Sequence, residues 1–92
     1  MLSPNVHQSF AEVLKRLKRA ESQLRRAGEM IEAGRSFLDV AEQLYAAERT
    51  VRDAKKTFIN DHLDHCLDHV ADSTSPEARA SADEFKNIAK YL

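Results

Sequence analysis

Three of the chain's four histidines and its single cysteine fall within eight consecutive residues: His62, His65, Cys66 and His69. On a helix at about 100° per residue they share a sector of about 100°, with His62 and Cys66 one turn apart and His65 and His69 likewise. Imidazole nitrogen and thiolate sulfur are borderline-to-soft donors, suited to Cu, Ni, Co or Zn ions far better than to Mg or Ca. Asp61, Asp64, Asp68 and Asp72 form a neighbouring stripe that can orient imidazole rings or add oxygen donors. An i, i+4 pair supplies only two ligands, so a tight site needs a third or fourth from elsewhere, with another chain as the expected source.

The same residues make poor catalysts. Cys66 follows His65 directly, and sequence neighbours on a helix point about 100° apart, a bad aim for proton transfer to a thiolate. No Gly-rich phosphate loop, Ser-His-Asp set or HExxH pattern occurs. The chain therefore reads as a binding protein and not as an enzyme.

A second chemistry lies in the cations. Lys15, Arg16, Lys18 and Arg19 cluster early in the chain, with Arg25 and Arg26 two turns later, and Arg49, Arg52, Lys55 and Lys56 cluster further on. Residues 1–56 hold eleven Lys/Arg against eight Asp/Glu, whereas residues 57–92 hold three against seven. That asymmetry, hidden under a net charge of −1, describes a basic body able to face phosphates and an acidic region kept away from them. No helix-turn-helix spacing, zinc-finger pattern or RNA-binding aromatic motif is present, so nucleic-acid binding would use another all-helical face.

Helices must carry both groups. Ser3 and Pro4 form a cap and first-position proline, so a first helix is expected to start near Pro4. Its apolar stripe reads Val6, Phe10, Val13/Leu14, Leu17, Leu24, Ala27 and Ile31, with Gly34 as the stop. A second helix is expected from about Ser36 to Ala71, with Phe37, Val40/Ala41, Leu44, Ala47, Val51, Ala54, Phe58, Leu63, Leu67 and Val70 as its stripe. The polar break Asp72-Ser73-Thr74-Ser75 precedes Pro76-Glu77, a good start for a third helix running to about Tyr91.

The expected fold class is all-α: a three-helix protomer of two long antiparallel helices plus a short third, forming one domain over residues 1–92. A chain of 92 residues has a thin core of its own, and long apolar stripes call for another protomer to cover them. A homo-oligomer is expected. No run of about 18 apolar residues exists to span a membrane, and no secretory signal is read at the start. The lone cysteine excludes an intrachain disulfide, and a free thiol suits a reducing cytoplasm.

The ordered set of motifs resembles the CsoR/FrmR/RcnR repressors. Arg16-Leu17-Lys18-Arg19-Ala20-Glu21-Ser22-Gln23-Leu24 resembles their first-helix signature. Leu38-Asp39-Val40, followed by Glu42-Gln43-Leu44, resembles the start of their second helix, and Asn60-Asp61-His62-Leu63-Asp64-His65-Cys66 resembles their H-x-x-x-C sensor segment. The match is firm over about residues 10–70 and looser over the third helix. The family glycine before the glutamine is Ser22 here.

The resemblance implies a dimer of dimers that binds operator DNA without ligand and releases it when an inducer binds. Inducers across the family include Cu(I), Ni(II)/Co(II), formaldehyde and sulfane sulfur. It places Arg16 and Lys56 against DNA and makes His62 and Cys66 metal ligands; Lys15, Arg19 and Arg52, from the basic clusters themselves, are the further cations expected to meet DNA. The ligand that copper-sensing members supply near the start of the second helix falls at Phe37, which has no donor atom. His65, His69 and His7 are the residues able to compensate. The competing expectation is a metal-binding helical oligomer or interaction scaffold without regulated DNA release.

Overall fold

A computed structural model describes residues 9–70 and 76–92, and for residues 65–70, 77 and 78 only the helical backbone. It contains three helices, α1 (Phe10–Glu32), α2 (Phe37–Val70) and α3 (Pro76–Ala89). The described residues contain no strand, as the scarcity of Gly and Pro led us to expect. They fall into two compact units, one spanning Ala11–Ala54 and the other built around Lys55–Leu92 and including Phe10.

The turn between α1 and α2 is encoded locally. Gly34 sits at φ +73°, a left-handed conformation that costs a residue with a Cβ roughly 1–2 kcal/mol. Around it the amide of Arg35 donates to the carbonyl of Met30 at 3.0 Å and that of Gly34 to Ile31 at 3.1 Å, the paired bonds that close a helix C-terminus on glycine. Ser36 then caps α2: its Oγ accepts the amide proton of Asp39 at 3.1 Å, satisfying one of the orphan donors of the first turn. Arg35 Nη2 meets Asp39 Oδ2 at 3.1 Å, holding the start of α2 beside the end of α1.

The expected start of the first helix near Pro4 lies outside the described residues. The described helix begins at Phe10, after a turn at Ser9; Ser3, Pro4 and Val6 lie outside the described residues. The other boundaries agree within two residues with the cap and breaker signals, α3 starting at Pro76 and ending at Ala89.

In the Ala11–Ala54 unit the two helices run antiparallel, because Arg16 Nη1 reaches the carbonyl of Asp53 at 3.4 Å and Gln43 Nε2 that of Gln23 at 3.1 Å. The seam between them departs from the stripes read in the sequence. The buried residues are Val13, Ala20, Ala27 and Met30 on α1 and Val40, Ala47 and Ala54 on α2. Val13, Ala20 and Ala27 recur every seventh position, as do Val40, Ala47 and Ala54, so both helices present a narrow track of small side chains. Leu14, Leu17, Leu24, Ile31, Leu44 and Val51 are exposed. A close helix pair needs small residues at the contact, and the larger apolar residues are left on the outer flank.

Ala47, 1% exposed, tests that seam. Ala47→Leu inserts three carbons where no space is left, at a cost of about 1–3 kcal/mol. Thermal unfolding followed by circular dichroism is expected to show a midpoint roughly 5–15 °C lower, whereas a midpoint at or above that of the parent chain would contradict the tight seam.

The second unit has its own core among the described residues. Ile59 and Leu63 of α2 are buried, and Ser81, Ala82, Phe85, Ile88 and Ala89 form the half-buried face of α3. The rings of Phe10 and Phe58 stack with centroids 5.6 Å apart, a contact that adds about 0.5–1.5 kcal/mol beyond burial.

Candidate metal centre and basic face

His62 stands one position before the buried Leu63, so its ring leaves α2 at the edge of that core. Its Nε2 lies 2.9 Å from Glu84 Oε1 on α3. The ring nitrogen is shut off from solvent and has no aligned hydrogen-bond partner. At such a distance the two facts are compatible only if the carboxylate sits off the N–H direction, so the contact is one of proximity. A buried ring nitrogen without an aligned partner is costly, and a metal ion is one group that relieves it. The donor type fits the ions expected from the sequence.

Glu84 itself escaped the sequence reading. It sits between Ser81 and Ile88 on the rim of the half-buried face of α3. A carboxylate three or four residues from apolar positions, on a helix short enough to fold back, is the only sequence signal it offers.

The other predicted ligands are placed less fully. His65, Cys66 and His69 belong to α2, whose helical backbone keeps residues 62 and 66 about one turn, or 6 Å of rise, apart. Their side chains, together with Asp68, Asp72 and His7, lie outside the described ones. Asp61 is half-buried and Asp64 exposed. Among the described residues no group of three or more His, Cys, Asp or Glu surrounds a common point. Phe37, at the first position of α2, is 93% exposed and offers no donor.

The cations are partly gathered. Lys15, Arg16 and Arg19 of α1 line a polar pocket of about 220 Å³ with Glu12, Thr50 and Asp53. Arg16 is fixed there, its Nε 3.4 Å from Glu12 Oε1 and its Nη1 donating to the carbonyl of Asp53 at 3.4 Å. Lys15 and Arg19 are exposed and free to swing toward a ligand from either flank of that anchored guanidinium. Thr50 closes the far wall with its hydroxyl turned back onto the carbonyl of Ala46 at 3.0 Å. Arg52 and Lys56 are exposed on α2, and Arg52 is outside the pocket lining.

No helix of the described residues is long and apolar enough to cross a membrane. No solved structure matches the chain. Residues 10–91 match the family model described as "Metal-sensitive transcriptional repressor". The chain is 33% identical over 64 residues to the copper-sensing transcriptional repressor RicR of Mycobacterium tuberculosis, covering 70% of this chain and 67% of the relative. It is 30% identical over 81 residues to the copper-sensing transcriptional repressor CsoR of Bacillus subtilis, covering 86% and 80%. With its three helices, its expected sensor segment and almost its whole length inside that match, the chain belongs to the family of metal-sensitive transcriptional repressors.

Proposed function

We propose that the metal-free chain binds operator DNA through Lys15, Arg16 and Arg19, joined by Arg52 and Lys56, and releases it when a transition-metal ion binds at His62 and Cys66. His65, His69 and His7 are the further donors available to that ion, and Cu, Ni, Co and Zn are its candidate identities. The observation that carries this reading is the enclosed His62 Nε2 with no aligned partner. A soft donor already withdrawn from water gives up little solvation on meeting a metal, and the neighbouring carboxylate offsets positive charge.

The basic pocket supplies the complementary half. Arg16 is held across the hairpin and positions the surface, while Lys15 and Arg19 extend toward phosphates, which fix register and affinity without reading sequence. The ion changes DNA affinity only through its differential affinity for the two shapes of the protein. The site must therefore touch an element whose position differs between the two shapes, and α3, which meets His62 through Glu84, is the element assigned that part.

The functional unit is a homo-oligomer of single-domain chains in the cytoplasm. Leu17, Leu24 and Ile31 recur every seventh residue on α1, as do Phe37, Leu44 and Val51 on α2, and all are exposed. Those tracks lie three or four positions from the alanine tracks, an exposed apolar flank beside the seam that a further copy would cover.

Fluorescence anisotropy of labelled operator tests the reading. Stoichiometric metal is expected to weaken binding by the parent chain by about 5–150-fold, the usual range for coupled sites. His62→Ala and Cys66→Ala should keep the metal-free DNA affinity and lose the response. Release that persists in both variants would remove the proposed site. Metal binding by the parent chain with no effect on DNA would favour the buffering scaffold instead.

A further inference from the structure

A second charged hollow opens in the Ala11–Ala54 unit, beside the turn between α1 and α2. Arg26, Glu29 and Met30 of α1 line it together with Ala33 and Arg35, and it holds about 180 Å³. The amide of Ala33 still donates to the carbonyl of Glu29 at 2.9 Å, so the helical register continues through Ala33. Arg26, Glu29, Met30 and Ala33 each stand fourteen positions beyond a residue of the basic pocket, namely Glu12, Lys15, Arg16 and Arg19. Fourteen positions bring a helical side chain back to within about 40° of its starting direction, roughly 21 Å further along the axis. The two hollows therefore occupy one facet of α1.

Their charges are built alike. Lys15, Arg16 and Arg19 face Glu12 and Asp53 in the first, and Arg26 and Arg35 face Glu29 in the second, so each lining has one positive charge in excess. Each has one guanidinium tied to a carboxylate, Arg16 to Glu12 at 3.4 Å and Arg35 to Asp39 at 3.1 Å. Beside it stand exposed cations, Lys15 and Arg19 in one and Arg26 in the other. Gly34 makes the second arrangement possible. Its φ of +73° turns the chain back on itself, the amide of Arg35 bonds to the carbonyl of Met30 at 3.0 Å, and Arg35 joins the facet of Arg26.

We infer that Arg26 and Arg35 form a second phosphate-binding station, so that α1 lies along the duplex and holds two separate groups of DNA phosphates. This rests on the proposal that Lys15, Arg16 and Arg19 meet operator DNA, and it goes beyond it in naming what fixes the direction of α1. One station leaves the helix free to pivot. Two stations roughly 21 Å apart set its alignment, which is the part phosphate contacts play in an interface. That spacing exceeds the width of a major groove, about 12 Å, so the stations do not share a phosphate. Guanidinium forks suit them, since they match phosphate oxygens two at a time.

The test uses the full-length, metal-free chain and labelled operator, with anisotropy over a salt series and phosphate-ethylation interference. Where two chains share one DNA face, Arg26→Gln removes two phosphate contacts. The log–log salt slope should then fall by about 1.8, and affinity at about 0.15 M salt by roughly 30-fold. Arg26→Lys keeps the charge and should keep the slope. Arg25→Gln removes an exposed cation outside both hollows and should also keep it. Ethylation should interfere with the parent chain at two groups of phosphates. Arg26→Gln should become insensitive to one group, and the Lys15→Ala/Arg19→Ala variant to the other.

A parental slope in Arg26→Gln, beside a reduced slope in Lys15→Ala/Arg19→Ala, would overturn the inference and leave the first station standing. Parental slopes in both would overturn the DNA face on α1 itself. An equal fall in Arg25→Gln would reduce the effect to net charge, and an equal fall in Arg26→Lys would reduce it to a change in folding; either overturns the second station. Interference by a single group of phosphates in the parent chain would do the same.

Discussion

Exchange of Lys15 and Arg19 for alanine is expected to weaken operator binding several hundredfold at about 0.15 M salt while leaving the fold and metal affinity intact. Both side chains are exposed beside the anchored Arg16, and neither contributes to the alanine seam. By counterion release each lost phosphate contact lowers the log–log salt slope by about 0.9 and costs roughly fivefold in affinity at that salt. Two chains on one DNA face lose four contacts, so the slope should fall by about 3.6. The loss should be uniform across sequences, because contacts to phosphate carry no base information. Anisotropy over a salt series reads both quantities. A slope equal to that of the parent chain would move the DNA face elsewhere. Arg16 is the wrong residue for this experiment, since its bond to the carbonyl of Asp53 also ties α1 to α2.

The second large effect concerns self-association. Leu24, 52% exposed, stands in the middle of the outer seven-residue track of α1. If that track packs on a second copy, Leu24→Glu removes the burial of a leucine worth about 1.5–3 kcal/mol. A symmetric interface counts the loss twice, about 3–6 kcal/mol. The dissociation constant between protomers is then expected to rise by about 10²–10⁴-fold, and burying the new carboxylate adds to this. Light scattering across a concentration series should show a smaller species for the variant. A variant with the mass of the parent chain would mean that these leucines do not form the interface. DNA affinity should fall with the oligomer, since joined copies bind through a high effective concentration.

What the sequence made legible was whatever is decided within a few residues. Gly34 as a stop, Ser36 as the start of the second helix and Pro76 as a first helical residue are short-range devices, and the structure has a helix boundary at each. The start near Pro4 read from Ser3-Pro4 and Val6 lies outside the described residues, in which the helix opens at Phe10. The core was half legible. Periodicity identifies an apolar stripe but does not say which flank of a wide stripe meets its own neighbour; here the alanines do.

The site shows the same division. The spacing of His62 and Cys66 is a property of one helix and could be read directly. Glu84 pairs with His62 across 22 positions of sequence, a contact created only when α3 folds back, so no local pattern announces it. The basic pocket was legible as two clusters, but its closure by Glu12, Thr50 and Asp53 depends on the register of the hairpin.

The seam of Ala20, Ala27, Ala47 and Ala54 has a consequence for motion. Alanine has no χ1 choice to lose or to change, so these contacts form without rotamer entropy and offer no alternative packing. A joint of that kind behaves as a fixed rail: it has one geometry, and sliding by one residue would drive a larger side chain into the narrow gap. Shape change within the Ala11–Ala54 unit must therefore be confined to its bulkier outer residues, which have several rotamers to exchange.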